Sequence, residues 1–222
     1  MNTPNAGTVS SVPQLLVLDG QGVVFNNPFP AFLADLGVRT GVGEPEVTSR
    51  WSDELRLPFW TGQLSEAAMW ARLAPGLSTT GLREDLERRY APGPLYDLVR
   101  RSTARLWLLS NHRGDWLRPR LERFALTERF ERILVSDEQG VAKPSPEAFA
   151  HLINTSCLYI DDLPKNIDVA RSLGIDALHV DEAAKRLITA APAATAACRE
   201  DLHAAVGPGS VVDEPPRRIA RR

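Results

Sequence analysis

An α/β architecture is expected for this chain, a parallel sheet with helices on both faces and a small helical insertion after the first strand. Three features point there. From Arg105 onward, short apolar runs alternate with amphipathic stretches. Each apolar run is only a few residues long and almost continuously hydrophobic, as strands buried on both faces are. Residues 28 to about 95 hold several helical patterns and no strand pattern, so they read as an excursion between two strands of one sheet.

The elements follow in chain order. "LLVLD" makes the first strand and runs into "GQGVVF", an acid followed by two glycines around Gln21. In the insertion, "PAFLADLG", "EVTSRWSDELR", "LSEAAMWARLA" and "LREDLERRY" have apolar residues at helical spacing, punctuated by Gly37, Gly41, Gly43, Pro58, Pro75 and Gly76. "GPLYDLVRRSTA" is a helix that returns the chain to the sheet. The strands "RLWLLS", "RILVS", "CLYID" and "DALHV" then alternate with the helices "DWLRPRLERF", "PEAFAHLI" and "PKNIDVARSLG", the last stopped by Gly174. The expected organisation is a core of residues 12–27 and 92–190, an insertion of 28–91 and a loose tail of 191–222.

Composition narrows the function. The 222 residues, 43% hydrophobic, suffice for one core plus an insertion. With 26 basic and 28 acidic side chains the formal charge is −2. No field of either sign therefore favours nucleic acid or an anionic membrane, and neither is expected as a partner. The N-terminal stretch lacks the basic and apolar regions of a signal peptide, and no apolar run approaches membrane-spanning length. Cys157 and Cys198 show no metal or redox spacing and read as free thiols in a reducing, cytoplasmic setting. The tail is rich in Ala, Pro and Gly and ends in Arg217, Arg218, Arg221 and Arg222, a composition that cannot bury a core.

In parallel sheets ligands bind beyond the carboxyl ends of the strands. Asp19 stands at the first such end, Ser110 with Asn111 at the second, and Asp161 with Asp162 at the fourth. The loop after the third strand presents Lys143 before a proline. Singly, each has an ordinary reading as a turn residue, a helix cap or a solvated side chain. Together they assemble acids, a hydroxyl and an ammonium at one crevice, the composition of a magnesium and phosphate site.

That order, with the wording "GVAKPSPEAF" and "YIDDLPKNIDVARSLGI", resembles the haloacid dehalogenase (HAD) superfamily of hydrolases over residues 14 to 181. The resemblance implies a Rossmann-like sheet with a helical cap in the place of the insertion. The cap wording "PFWTGQLSEAAMWARL" is similar to the branch that includes glucose 1-phosphate phosphatases. It implies a Mg²⁺-dependent phosphatase acting on a small phosphorylated metabolite. Asp19 would attack phosphorus and become an aspartyl phosphate. Ser110 would hydrogen-bond the phosphoryl group with Asn111 beside it, and Lys143 would neutralise charge. Mg²⁺ would be held by Asp19, the backbone carbonyl of Gln21, and Asp161, Asp162 or both.

Two departures from the family pattern stand out. Gln21 occupies the position where the family's phosphatases usually carry a second aspartate, their general acid and base. The joint "AHLINTSCLYIDD" is shorter than usual. His112 is a candidate substrate contact and alternative proton source, against the ordinary reading of a supporting or surface histidine. Trp51, Trp60 and Trp70 belong to the cap core or wall the substrate pocket. Two other functions compete: a catalytically silent relative that binds a ligand or partner, which Gln21 and the basic tail favour, and a dehalogenase-type hydrolase, against which the Asp161 and Asp162 pair argues. The oligomeric state is left open.

Overall fold

The computed structural model describes residues 15–189. The expectations for the N-terminal stretch, Cys198 and the tail of 191–222 fall outside that range. The chain divides into a unit of Met1–Lys185 and a second of Arg186–Arg222; apart from the last residues of one helix, everything below concerns the first.

Five parallel strands, β1 (Leu15–Leu18), β2 (Arg105–Ser110), β3 (Arg132–Val135), β4 (Leu158–Asp161) and β5 (Asp176–His179), form one sheet in the order β3-β2-β1-β4-β5. β1 is central, with Val17 opposite both Trp107 and Tyr159. The chain steps from β1 to one side and later returns to its other side at β4. The crevice beyond the end of β1 is therefore a topological switch point, where such sheets bind ligands.

Alternation along the strands explains why they are so apolar. Leu15, Val17, Trp107, Leu109 and Tyr159 join Phe149, Leu152, Ile167 and Ala170 in one buried cluster. The intervening Leu16, Leu18, Leu106, Leu108 and Ile160 are buried too. Apart from the exposed strand starts Arg105, Arg132 and Asp176, the strand positions gain from burial on both faces, at about 1.5–3 kcal/mol per large aliphatic side chain. The helices after β2 are α7 (Gly114–Arg123), α8 (Ser136–Gln139), α9 (Pro164–Ser172) and α10 (Val180–Thr189). The last is a helix that the strand-by-strand reading did not assign.

Between β1 and β2 lie α1 (Phe29–Thr40), α2 (Glu44–Ser49), α3 (Arg56–Trp60), α4 (Glu66–Leu73), α5 (Leu82–Arg88) and α6 (Tyr96–Arg101). No strand occurs there, as expected. The stretch read as one helix, "EVTSRWSDELR", is not uniform: α2 widens into a π-helical segment over Arg50–Leu55 before tightening again into α3. Pro58 lies just beyond and lacks the N–H that would bond back into this segment, one reason for regular winding to fail here. A second difference is at "PEAFAHL", which winds as a 3-10 helix over Pro146–Leu152. Its greater rise per residue spans the short joint while still burying Ala148, Phe149 and Leu152.

Aromatic packing and polar ties hold the insertion to the sheet. Phe29 stacks on Trp51 at 4.8 Å between ring centroids, Trp60 packs against His112 at 4.6 Å, and Trp70 stacks on Trp116 of α7 at 5.8 Å. The Ser136 hydroxyl donates to the Trp60 carbonyl at 2.5 Å, and Arg120 of α7 grips Glu87 of α5 through both its Nε and Nη2. No helix among the described residues is long and apolar enough to cross a membrane.

Candidate active site

β1 delivers Asp19 to the switch point, and its backbone N–H extends the ladder by donating to Ile160 at 2.9 Å. The carboxylate is almost fully buried, and Lys143 Nζ donates to its Oδ1 at 2.9 Å. Burial drives the Asp19 carboxyl up to about 7; Lys143 pulls it down, while Asp161 and Asp162 repel it upward. Lys143 is itself buried, with Asp161 Oδ2 and the Leu109 carbonyl each at 2.8 Å and the Tyr159 hydroxyl at 3.0 Å. An ammonium has three protons for these four neighbours, so it is saturated. Burial disfavours its charge, but Asp161 and Asp19 more than compensate and hold it protonated.

Asp161 and Asp162 are adjacent in sequence and differ in use. Asp161 ends β4 with no exposed surface. Its Oδ2 accepts from Lys143, Tyr159 and Asn166, and its Oδ1 accepts from the Leu163 N–H at 2.8 Å and Asn166 at 3.0 Å. Burial alone would raise its pKa; the charge and hydrogen bond of Lys143, with those from Tyr159 and Leu163, lower it instead. Its lone pairs are spent on the scaffold. Asp162 is only half-buried and lies in the cavity wall, its pKa raised by burial and by the charge of Asp161. It sits against Gly22, whose φ is +78°. A Cβ there would overlap the Asp162 carboxylate and lie 3.0 Å from its Cβ, so glycine is required both by the turn and by the neighbour. At Gly20 an added Cβ would come within 2.8 Å of Ser110 Oγ. That close approach places the buried Ser110 hydroxyl beside the Asp19 loop.

Asn111 acts through its backbone partner. Its side chain accepts from the Lys143 N–H at 2.8 Å and donates to the Lys143 carbonyl at 2.7 Å, clamping the loop that aims the ammonium. The Lys143–Pro144 peptide bond is cis. Gln21 lines the cavity, and its amide donates to the Tyr90 hydroxyl at 2.5 Å. Tyr90 in turn lies 3.3 Å from the Arg120 guanidinium, measured from its ring centroid.

Three site candidates, Ser110, Asp161 and His112, do not line the cavity; Ser110 adjoins the Asp19 loop and Asp161 holds Lys143, whereas among the described residues no such tie to the site exists for His112. It is fully buried and is not among the cavity-lining residues. Arg120 Nη1 lies 3.1 Å from its Nε2. A guanidinium can only donate, so Nε2 accepts from it, while Nδ1 meets the Arg113 N–H at 2.9 Å and the Arg113 carbonyl at 3.2 Å. Burial, then the charge of Arg120, pushes its pKa well below that of a free imidazole. It is a neutral, fully engaged histidine, in line with the supporting role and not the substrate contact. Its first-turn position after β2 made it conspicuous, but the helix that follows carries Arg120 back over it.

The cavity above Asp19 has a volume of ≈ 390 Å³. Core residues Asn111, Lys143, Asp162 and Asn166 form its floor with Asp19, and the insertion supplies Phe29, Trp51 and Trp60 among others. Trp51 and Trp60 thus wall the pocket, whereas Trp70 packs against Trp116. Sequence reasoning missed Tyr159 and Asn166. Tyr159 was legible in principle, because a two-residue period puts it on the face of β4 that carries Asp161. Asn166 gives no such signal until α9 turns it back toward Asp161.

Carboxylate oxygens of Asp19, Asp161 and Asp162 lie within 4.8 Å of one another. An all-oxygen set of this kind suits a hard cation such as Mg²⁺. Asn166 is buried in the same cavity wall, and its Oδ1 has no hydrogen-bond partner, an acceptor in want of a cation's water shell. The residues present therefore fit a magnesium site, with Asp162 and the second carboxylate oxygen of Asp19 available to it and Asp161 as their support.

No family model and no curated protein sequence matches the chain. Solved structures do match. A HAD family enzyme from Bacteroides thetaiotaomicron, 22% identical, covers 74% of this chain and 91% of its own with a TM-score of 0.59; the same enzyme has been seen in complex with magnesium and inorganic phosphate. A predicted HAD-like family hydrolase from Porphyromonas gingivalis is 23% identical over 78% of this chain and 97% of its own, TM-score 0.60. An L-2-haloacid dehalogenase from Xanthobacter autotrophicus is 20% identical over 86% and 88%, TM-score 0.55. Together with the five-stranded parallel sheet and its insertion after β1, these matches show that the chain has the Rossmann-like α/β fold of the HAD enzymes.

Proposed function

We propose that this protein is a Mg²⁺-dependent phosphatase that acts on a small phosphorylated metabolite through a phosphoaspartyl intermediate on Asp19. The observation that carries the reading is Asp19 in the cavity wall, held by Lys143, which Asp161 holds in turn from behind. Lys143 fixes one carboxylate oxygen at 2.9 Å and leaves the other for attack. Asp19 would attack phosphorus as the bond to the ester oxygen breaks; the departing oxygen takes a proton, and water then cleaves the acyl phosphate and restores the carboxylate. Lys143 offsets charge on the nucleophile and on the phosphoryl oxygens, Ser110 donates to them, and Asn111 keeps the lysine in place. When bound at Asp19, Asp162 and the Gln21 carbonyl, Mg²⁺ supplies neutralisation of phosphoryl charge. Gln21 carries no titratable proton and His112 is committed to Arg120, so the leaving oxygen must draw its proton from solvent. The aromatic wall of Phe29, Trp51 and Trp60 beside Asn27 and Asp53 suits the faces and hydroxyls of a sugar, in keeping with a sugar-phosphate substrate.

The test is phosphate release from an aryl phosphate with and without Mg²⁺, for wild type and Asp19→Asn. Release that needs both Mg²⁺ and Asp19 supports the reading; release in neither, or equal release from Asp19→Asn, removes it. A second reading is attack by Asp19 on the carbon of a 2-haloacid. The dehalogenase neighbour and the absence of a proton carrier at Gln21 favour it. Chloride release from 2-chloropropionate without added metal would decide for it.

A further inference from the structure

The insertion contains seven arginines, and six of them, Arg39, Arg50, Arg72, Arg83, Arg88 and Arg89, are ion-paired with carboxylates. Arg56 is the exception. It opens α3 directly after the π-helical segment and lines the cavity above Asp19. From the core, Lys165 of α9 lines the same cavity. Among the described residues neither side chain makes an ion pair, a hydrogen bond or a ring contact. Lys143, the third cation of the cavity, is fully committed to Asp19 and Asp161. Asp53 is the rim carboxylate on the cap side; it accepts from the Ser49 hydroxyl at 2.8 Å and lies beyond ion-pair distance of Arg56.

A phosphoryl group at Asp19 would have the nearby charge of Lys143, the Ser110 hydroxyl and the carboxylates of the metal site to meet it, so Arg56 and Lys165 are surplus to it. Resting on the phosphatase reading for its geometry, we propose that Arg56 and Lys165 form a subsite for a second anionic group. The preferred substrate is then a phosphate monoester whose organic part carries a carboxylate or a second phosphate. A cation from each side of the cavity also means that such a substrate draws cap and core together, whereas a neutral alkyl phosphate does not. Charge-assisted hydrogen bonds at a partly shielded site are worth about tenfold or more in affinity.

Non-hydrolysable analogues test this without turnover. Trp51 and Trp60 line the cavity, so their fluorescence reports binding in excess Mg²⁺. Propylphosphonate carries one anionic group; 3-phosphonopropionate adds a carboxylate, and ethane-1,2-diphosphonate a second phosphonate. At least one of the two dianionic analogues should bind about tenfold or more tightly than propylphosphonate. In Arg56→Gln/Lys165→Gln that advantage should fall to about twofold or less. The identity of the tighter analogue names the second group. Equal binding of all three by wild type, no binding of any, or an advantage that survives the double substitution overturns the proposal. Both side chains are exposed, so the variant folds, as far-ultraviolet circular dichroism will verify. Aryl phosphate turnover in the same preparations reports on the phosphatase reading separately: turnover without the analogue ratio removes only the subsite, and the ratio without turnover removes only the phosphatase.

Discussion

Replacing Lys143 by Met keeps the length of the side chain and deletes its charge, leaving Asp19 and Asp161 buried without their shared cation. Two charge-assisted hydrogen bonds disappear, at 2.9 and 2.8 Å, and the Leu109 carbonyl loses a donor. Breaking a buried pair by removing one partner costs about 3–5 kcal/mol, and that range is expected at pH 8 in metal-free buffer. The cost must also depend on pH. Without Lys143, the folded-state pKa values of both carboxyls rise above the unfolded value of about 3.9. Between those limits the folded variant binds more protons than the unfolded chain, so its stability is greatest at low pH and declines as pH rises, by about 1.4 kcal/mol per unit for each such proton. Asp19 already behaves this way in the wild type, with its pKa near 7; Asp161, lowered by Lys143, does not. The additional loss at pH 5 to 7 therefore belongs to Asp161, and above pH 7 Asp19 adds to it because it too loses the cation that lowers its pKa. Urea denaturation of wild type and Lys143→Met at pH 5 and pH 8 with EDTA measures it. The deficit should be larger at pH 8 by about 1.4 kcal/mol or more. A deficit that is the same at both values would show that Lys143 does not hold Asp161 ionised, and the electrostatic account of the site would fall.

Tyr159→Phe removes the hydroxyl shared by Lys143 and Asp161; stability should drop by about 1–3 kcal/mol, the cost of unsatisfied buried groups, and thermal melts will show whether the loss is nearer zero. His112→Asn should remove a pH dependence: because the folded histidine resists protonation, its contribution is complete above about pH 6.5 and is lost as pH falls below that value, at about 1.4 kcal/mol per unit. The difference between the two proteins should therefore narrow from pH 7 to pH 5, and a constant gap would contradict the buried, neutral assignment. Gln21→Asp releases the Tyr90 contact and puts a carboxylate near the leaving oxygen. Turnover of alkyl phosphates should increase about tenfold or more, and that of aryl phosphates much less, since a phenolate leaves without a proton. Unchanged alkyl phosphate rates would mean that proton transfer does not limit this enzyme.

The strand pattern, the position of the insertion and the order Asp19, Ser110, Lys143, Asp161 and Asp162 were legible in the linear sequence. The reason is local. A strand buried on both faces must be apolar throughout, and a polar residue at its carboxyl end is then conspicuous, as Asp19 is after "LLVL" and Asp161 after "LYI". What one sequence could not contain is the division of labour among neighbours in space. Asp161 and Asp162 are equivalent on paper, but only the folded chain brings Lys143, Tyr159, Leu163 and Asn166 onto the first and leaves the second facing the cavity. His112 looked available for the same reason, until α7 laid Arg120 across its ring nitrogen from eight residues away. Nothing in the linear sequence sets Arg56 apart from the six other arginines of the insertion; their ion pairs do. Which donors saturate a carboxylate, and which cations are left over, depends on contacts between residues distant in sequence, and those contacts exist only once the sheet has closed around them.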